Sequence, residues 1–310
     1  MRDRLGKVIA VLLLGVFALA VVVNGFAPQL PALLREGFPA PVWPPNGQTV
    51  LVSGVDDGGS ETARPPPPAA LDRFSESKGR ALLVADSSGV IAEHYAPGLD
   101  RDTRLNSYSL VKTLISALVL RAMADGRIDS LDDRLPRYLG PQAPDVSLRA
   151  VLSMTAGLSL PGEPPKTDVS KPMDDAAFSP FSPVGRLHAL GIEHLLPRLQ
   201  VDPNLAGDFH YQSANTAVLG LMLERVYGQP LPVILSRLIW SPAGAQDAYW
   251  RSNPETGRAS AYCCLYARPL DWVLSFEAEA PTYCCSSRAS SLRPALPEYT
   301  RPRTCCHLHL

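Results

Sequence analysis

The chain has 310 residues, of which 46% are hydrophobic, and a formal net charge of −1. That apolar share excludes wholesale disorder, and near-neutrality without a long basic stripe argues against nucleic acid as a partner. The length admits one large domain or two modest ones.

The N-terminus carries Arg2, Arg4 and Lys7 against Asp3, and then runs apolar from Val8 to Val23, VIAVLLLGVFALAVVV. As a helix this run is roughly 24 Å long, against a hydrocarbon core of about 30 Å. Extended through Asn24–Ala27 it nearly spans a bilayer. Residues 1–27 therefore read as a membrane anchor whose basic flank stays cytoplasmic, with a cleaved secretory signal as the alternative. Under both readings the rest of the chain is exported, to the periplasm or the extracellular space. Residues 28–79 read as a Pro-rich linker: Pro28, Pro31, Pro39, Pro41, Pro44 and Pro45 interrupt regular structure, and ARPPPPAA is polyproline-like. TVLVSGV, Thr49–Val55, has a strand composition without an assigned role.

Residues 80–275 carry the periodic elements. Ala81–Ala96 holds two apolar runs around Asp86-Ser87-Ser88-Gly89, a β-hairpin pattern. Leu110, Val111, Leu114, Ile115, Leu118, Val119, Ala122 and Met123 repeat at helical spacing, with Ser109 at the start and Gly126 past the end. Ile128–Leu139 reads as a turn and loop. Ser147–Leu158 reads as a short helix capped by Ser147 and closed by Gly157. Pro161–Pro183 is a long Pro- and Asp-rich loop, of the kind that often rims a site. Leu187–Leu199 has helical character. Ser213–Gly228 is predicted to be an amphipathic helix capped by Ser213, presenting Ala214, Ala217, Val218, Leu221, Met222 and Val226 on one side. Leu231–Trp240 is a further helix, stopped before Pro242.

Residues 276–310 form an atypical tail, rich in Ser, Arg and Pro, without a sustained period. The six cysteines fall in adjacent pairs, Cys263–Cys264, Cys284–Cys285 and Cys305–Cys306. None has the C-x-x-C spacing of a zinc or redox motif, so neither metal nor cofactor is expected.

Several catalytic signatures are missing: G-x-S-x-G, H-E-x-x-H, a P-loop and a dinucleotide fingerprint. S-x-x-K is present as Ser109-Leu110-Val111-Lys112, opening the best helix. Residues three apart share a helix face, so the Lys112 amine can reach the Ser109 hydroxyl. A desolvated lysine is neutral near pH 7 and can take the serine proton. The helix N-terminus favours negative charge on the serine oxygen. By itself the motif is short enough to occur about once by chance in such a chain. A second copy, Ser75-Glu76-Ser77-Lys78, opens no predicted helix and is read as chance; simple helix capping is the bland reading of Ser109. Tyr211, just before the Ser213 helix, offers a phenol that relays a proton when neutral, or acts as a base if a nearby ammonium lowers its pKa. Packing at a helix start is the commoner fate of a tyrosine.

Taken in order, SYSLVKTLISALVLRAMADGRIDSLDDRLPRYL, VSLRAVLSMTAGL, FHYQSANTAVLGLMLERVYGQPL and RLIWSPAGAQDAYW resemble the serine β-lactamase and penicillin-binding-protein superfamily. Within it they are most similar to class C β-lactamase-related hydrolases, in the 6-aminohexanoate-dimer hydrolase and esterase-like branch. The resemblance spans about Ala81 to Val273. It implies an α+β, β-lactamase/transpeptidase-like fold: an antiparallel sheet flanked by helices plus an all-helical region, with the sheet incomplete here. It also implies Ser109 as acylating nucleophile, Lys112 as its base and Tyr211 as proton shuttle. The Ser109 N–H would be half of an oxyanion hole. Ser213 would be a substrate-binding residue at a position where many relatives have Asn; Asn215 is not given that role. This departure favours an esterase or amidase over a true β-lactamase, and the expected partner is a small-molecule ester, amide or peptide substrate.

The third family motif, K-T-G or H-x-G on a strand, is not found. Glu255-Thr256-Gly257 lacks the lysine, and His307-Leu308-His309 has no strand pattern. The tail therefore reads as a truncated or frame-shifted end. Two alternatives to an esterase or amidase follow: a D,D-peptidase or β-lactamase on the same scaffold, or a member without catalytic activity.

Overall fold

The computed structural model describes residues 9–10, 12–21, 30–37, 39–55, 63–86, 89–163 and 182–276. The expected anchor falls partly outside them. Ile9–Ala10 and Leu12–Val21 are helical and exposed, and among the described residues no helix is long and apolar enough to cross a membrane. The 161–183 loop lies mostly, and the 276–310 tail almost wholly, outside the described residues.

The segment expected to be only a linker contributes three elements. They are helix α1 (Leu30–Glu36), strand β1 (Thr49–Val52) and helix α2 (Pro68–Glu76). The hairpin follows as β2 (Ala81–Asp86) and β3 (Gly89–Tyr95), and then the short strand β4 (Leu105–Asn106). The S-x-x-K helix starts as a 3-10 turn, Tyr108–Leu110, and becomes α-helical as α3 (Val111–Ala124). The expected 128–139 loop contains a short helix, α4 (Leu135–Leu139). Helix α5 (Leu148–Leu152) is capped by Ser147 as expected, its hydroxyl accepting the Ala150 N–H at 3.2 Å. It ends before Gly157, because Met154 already has φ +55°. Strand β5 (Leu158–Ser159), helices α6 (Pro183–Leu190) and α7 (Ile192–Leu195), and strand β6 (Gln200–Val201) come next. Helices α8 (Ser213–Tyr227) and α9 (Leu231–Leu235, continued by a π-helical turn to Trp240) precede strands β7 (Ala248–Arg251) and β8 (Leu265–Ala267).

The main sheet is antiparallel, in the order β1-β7-β8-β4. Val52 lies opposite Ala248, Trp250 opposite Leu265, and Leu105 opposite Ala267. The strand of unassigned role is thus one edge of this sheet. The other edge is covered by a bridge from Val42 to Leu105. Nearby, Trp43 stacks on Tyr249 with ring centroids 4.0 Å apart. The hairpin forms as expected but as a two-stranded sheet of its own, bridged to Arg64 and touched by Phe74 of α2.

Helix α8 departs from the amphipathic expectation. Every residue from Ala214 to Glu224 is buried, since α3, α4, α5, α7 and α9 all pack around it. Gly220 allows a close approach here: a Cβ at this position would sit 2.3 Å from the Ala261 Cβ. The cap also differs. Gln212 takes the N-cap position and Ser213 is the first helical residue, while Gly228 closes the helix at φ +66°.

One ion pair fastens the N-terminal segment to the sheet. Glu36 at the end of α1 receives two N–H groups of Arg251 on β7, at 2.5 and 2.6 Å. Both side chains are almost fully buried. Arg251 also donates to Ser260 Oγ and to the His188 carbonyl. Removing one member of a buried pair strands the other charge, at about 3–5 kcal/mol. Glu36→Ala is therefore expected to lower the unfolding free energy by roughly that amount, measured by urea denaturation of the full chain. A loss below about 1 kcal/mol, the scale of an exposed pair, would mean that α1 does not hold Arg251 in solution.

Candidate active site

Strand β4 delivers the chain to Ser109. Ser107 donates its N–H to the Leu265 carbonyl at 2.9 Å, and its hydroxyl accepts the Leu265 N–H at 3.0 Å. Asn106 Oδ1 accepts the Tyr108 N–H at 2.8 Å. Tyr108 then takes φ +44°, a left-handed conformation that is costly for a bulky residue and persists only where its surroundings impose it. Cys264 N–H donates to the Tyr108 carbonyl at 3.2 Å and contributes to that imposition. The turn of backbone leaves Ser109 half-buried at the head of α3.

Lys112 is buried one turn later, and its Nζ lies 3.3 Å from Ser109 Oγ. The amine also donates to the Tyr262 carbonyl, from the turn before β8. Nζ stands 5.3 Å from the centre of the Tyr211 ring and 5.7 Å from that of Tyr262. These ring faces give partial compensation to an ammonium. Burial dominates, and it pushes the Lys112 pKa from 10.5 down to about 7. At neutral pH a large fraction of Lys112 is therefore the free amine, able to accept the Ser109 proton.

Tyr211 joins the same group. Burial raises its pKa, and a side-chain hydrogen bond with Ser109 pulls in the other direction, with burial the larger effect. The phenol therefore stays neutral. Of the two roles expected from the sequence, the raised pKa speaks against the depressed-pKa base. Ser213 is half-buried at the first position of α8 and makes no hydrogen bond to Ser109 or Lys112 among the described residues.

Several residues at the site carry no sequence signal. Tyr262 supplies the carbonyl and a ring for Lys112, and its hydroxyl lies 2.7 Å from His188 Nδ1. Burial raises the Tyr262 pKa to about 12, so it too is neutral. Burial, reinforced by the Arg251 and Lys112 charges, holds His188 well below its usual range as a neutral imidazole. Ligand atoms of His188, Cys263 and Cys264 lie within 4.8 Å of one another. The two sulfurs belong to adjacent residues and lie against each other. Glu255-Thr256-Gly257 forms a turn around Asn253 Oδ1, which accepts the Glu255 and Thr256 N–H groups. A cavity of ≈ 30 Å³ beside it is lined by Glu193, Glu224 and Arg258. It has room for about one water and does not include Ser109 or Lys112, so it is no substrate site.

The depressed lysine predicts a stability signature. The unfolded chain binds one more proton than the folded chain between pH about 7 and 10.5, so this group makes stability rise with pH across that window. Its cost is fully present below about 7 and is lost towards 10.5. Lys112→Met is expected to remove that slope while keeping the fold, as read by urea denaturation across the pH range. An unchanged slope in the variant would place the Lys112 pKa near its usual value.

The family model described as beta-lactamase matches residues 69–283. The chain is 29% identical over 197 residues to the 6-aminohexanoate-dimer hydrolase of Paenarthrobacter ureafaciens, covering 61% of this chain and 49% of that protein. Among solved structures, a provisionally named 6-aminohexanoate-dimer hydrolase from Bacillus anthracis superposes with a TM-score of 0.60 at 18% identity, over 74% of this chain and 64% of that one. A penicillin binding protein from Bacillus halodurans does so with a TM-score of 0.52 at 16% identity, over 67% and 72%. The chain thus spans about half the length of the curated relative it matches. The family match covers more than half of the chain and includes Ser109, Lys112 and Tyr211, and the fold is that of the serine β-lactamase and penicillin-binding superfamily: this protein belongs to the beta-lactamase family.

Proposed function

We propose that the protein is a serine hydrolase that cleaves an ester or amide through an acyl-enzyme on Ser109. The observation that carries this reading is the 3.3 Å approach of Lys112 Nζ to Ser109 Oγ, by an amine whose pKa is about 7. In the proposed cycle Lys112 takes the Ser109 proton as Oγ attacks the substrate carbonyl. The Ser109 N–H is one donor to the resulting oxyanion. Lys112 returns that proton by way of Tyr211, a neutral phenol close to Ser109, to the leaving alcohol or amine as the C–O or C–N bond breaks, so that both side chains end as they began. Water then attacks the acyl-enzyme and gives a proton to the free Lys112 amine, which passes it to Ser109 Oγ as the acyl C–O bond breaks, releasing the acid and restoring Ser109. The name of the Paenarthrobacter relative, a 6-aminohexanoate-dimer hydrolase, supports a linear amide as the first substrate to try. Ser213, two residues after Tyr211, is the proposed substrate contact. Export, with residues 1–27 as a membrane anchor, is part of the proposal. It is supported by the basic flank and by the exposed apolar side chains of Leu12, Leu13, Leu14, Val16, Phe17 and Leu19.

The test uses the purified full chain with short-chain p-nitrophenyl esters, the 6-aminohexanoate dimer and a fluorophosphonate probe. Turnover and labelling are expected, and Ser109→Ala should remove both, with a loss of several orders of magnitude in rate. A labelled protein whose labelling survives Ser109→Ala would reject the nucleophile. Covalent capture of a fluorescent penicillin on Ser109, without ester turnover, would shift the assignment to a penicillin-binding activity.

The acylation rate should rise with pH through about 7, following the free amine. Lys112→Arg should be nearly as damaging as Lys112→Ala, because a guanidinium does not deprotonate in proteins. Retained acylation in the arginine variant would show that only positive charge is needed there.

A further inference from the structure

Tyr262 meets Lys112 twice. Its carbonyl accepts the amine, and its ring centre lies 5.7 Å from Nζ. Main-chain ties hold the turn on either side: the Cys263 N–H donates to the Ser260 carbonyl at 3.1 Å, and the Trp250 indole N–H to the Cys263 carbonyl at 3.2 Å. Tyr262, between them, is held at the far end of its ring. There its hydroxyl lies 2.7 Å from His188 Nδ1 and also bonds the Ser260 side chain. The direction of these bonds follows from what each group can give. Arg251 only donates, and it gives an N–H to Ser260 Oγ at 2.8 Å. The Ser260 hydroxyl hydrogen is then the one that goes to the Tyr262 oxygen. Tyr262 is a neutral phenol with a single hydrogen, which goes to His188. His188 Nδ1 is therefore the acceptor, and the neutral ring carries its proton on Nε2. An imidazolium has no lone pair to offer there, and the Arg251 and Lys112 charges both oppose its formation. The His188 main chain is fixed as well: its carbonyl accepts the Arg251 guanidinium and the Asn253 amide, each at 2.9 Å. Glu36 holds Arg251 from the other side. His188, Ser260 and Tyr262 are all buried, so these bonds form away from water, where they are strongest.

We propose that Tyr262 and His188 are positioning residues for acylation: their hydrogen bond keeps the Tyr262 ring and carbonyl on Lys112, so that the amine stays dry and aimed at Ser109. The proposal rests on the reading of Ser109 as nucleophile and Lys112 as its base. A neutral amine has two N–H groups and one lone pair, on a flexible four-carbon stem. One N–H given to the Tyr262 carbonyl fixes the rotation of the amine and leaves the lone pair for the Ser109 proton. The ring meanwhile covers the amine and keeps water from restoring its ordinary basicity. Without the hydroxyl anchor the ring end is released and the carbonyl beside it is held less firmly. Displacements of about 1 Å at catalytic groups cost around a hundredfold in rate.

The experiment follows fluorophosphonate labelling of Ser109 against pH, in the full chain, for the wild type, Tyr262→Phe, His188→Leu and the double variant. Tyr262→Phe keeps the ring and the carbonyl and removes only the hydroxyl. It is expected to label about tenfold to a hundredfold more slowly at neutral pH. Its pH profile should move up from about 7 towards 10.5, as water reaches the amine. His188→Leu should do the same. The double variant should be no slower than the slower single one, because all three lack the same bond. Urea denaturation gives a second reading. The wild type gains stability between pH about 7 and 10.5 through the depressed lysine. Each single variant brings the folded-state pKa closer to the unfolded one, so this gain should shrink. A folded Tyr262→Phe with an unmoved pH profile overturns the proposal, even if it labels more slowly, since the hydroxyl would then serve stability alone. Losses that add up in the double variant overturn it as well. If Tyr262→Phe does not fold, the same two readings on His188→Leu decide. If the wild type does not label Ser109, the nucleophile reading fails, and the stability slope decides by itself: a slope unchanged by Tyr262→Phe overturns the positioning of Lys112, and a flattened one supports it.

Discussion

An ammonium group taken out of water, with no ion pair among the described residues, sets the terms for the rest of this site. An uncompensated buried charge is expensive, and the group answers by giving up its proton near neutrality. What surrounds Lys112 is suited to both of its states. The Tyr262 carbonyl accepts from the amine in either form, and the Tyr211 and Tyr262 rings offer faces that tolerate the cation while excluding water. A carboxylate in their place would stabilise the ammonium and raise its pKa, leaving Ser109 beside an acid in place of a base.

That arrangement depends on parts of the chain far from Ser109. The pairing of β4 with β8 brings Ser107 against Leu265 and so brings the Tyr262 carbonyl over the first turn of α3. Arg251 ties the Ser260 hydroxyl and the His188 carbonyl to Glu36 of the N-terminal segment. The Pro-rich region is thus part of the scaffold that frames the site. Its described prolines sit between elements or in the first turn of a helix, as Pro31 does in α1 and Pro68 in α2, where their missing N–H groups cost no ladder or helix hydrogen bond.

The legible parts were those with local causes. Ser109 and Lys112 are three residues apart at the head of one helix, so spacing and helix position together pair them. Helix α3 has a regular apolar period, the hairpin has two runs around a turn, and Ser147 caps its helix as its type predicts. Tyr211 was a candidate from its position alone, but a tyrosine before a helix is common, and only the family pattern assigned it the shuttle role. Tyr262, His188 and Arg251 were not legible. Their roles come from contacts that cross from 63 to 215 residues of sequence, and nothing in NPETGRASAYCC marks a carbonyl that will face a lysine. Helix α8 was misjudged for a related reason. Its sequence mixes polar residues such as Asn215, Thr216 and Glu224 with the apolar ones, which resembles a partly solvated helix, but helices packed on several sides bury them. Leu231 N–H, for example, satisfies the buried Glu224 from the following helix.

The separation between Lys112 and its carbonyl partner has a consequence for biosynthesis. The two are 150 residues apart, so a ribosome that has just released α3 has made a lysine still in contact with water, with the ordinary basicity of a surface side chain. Its amine becomes a useful base only when the segment through β8 has emerged and closed over it. On the proposed reading of Ser109, the nascent protein carries a dormant serine until β8, the last described strand of the sheet, has formed.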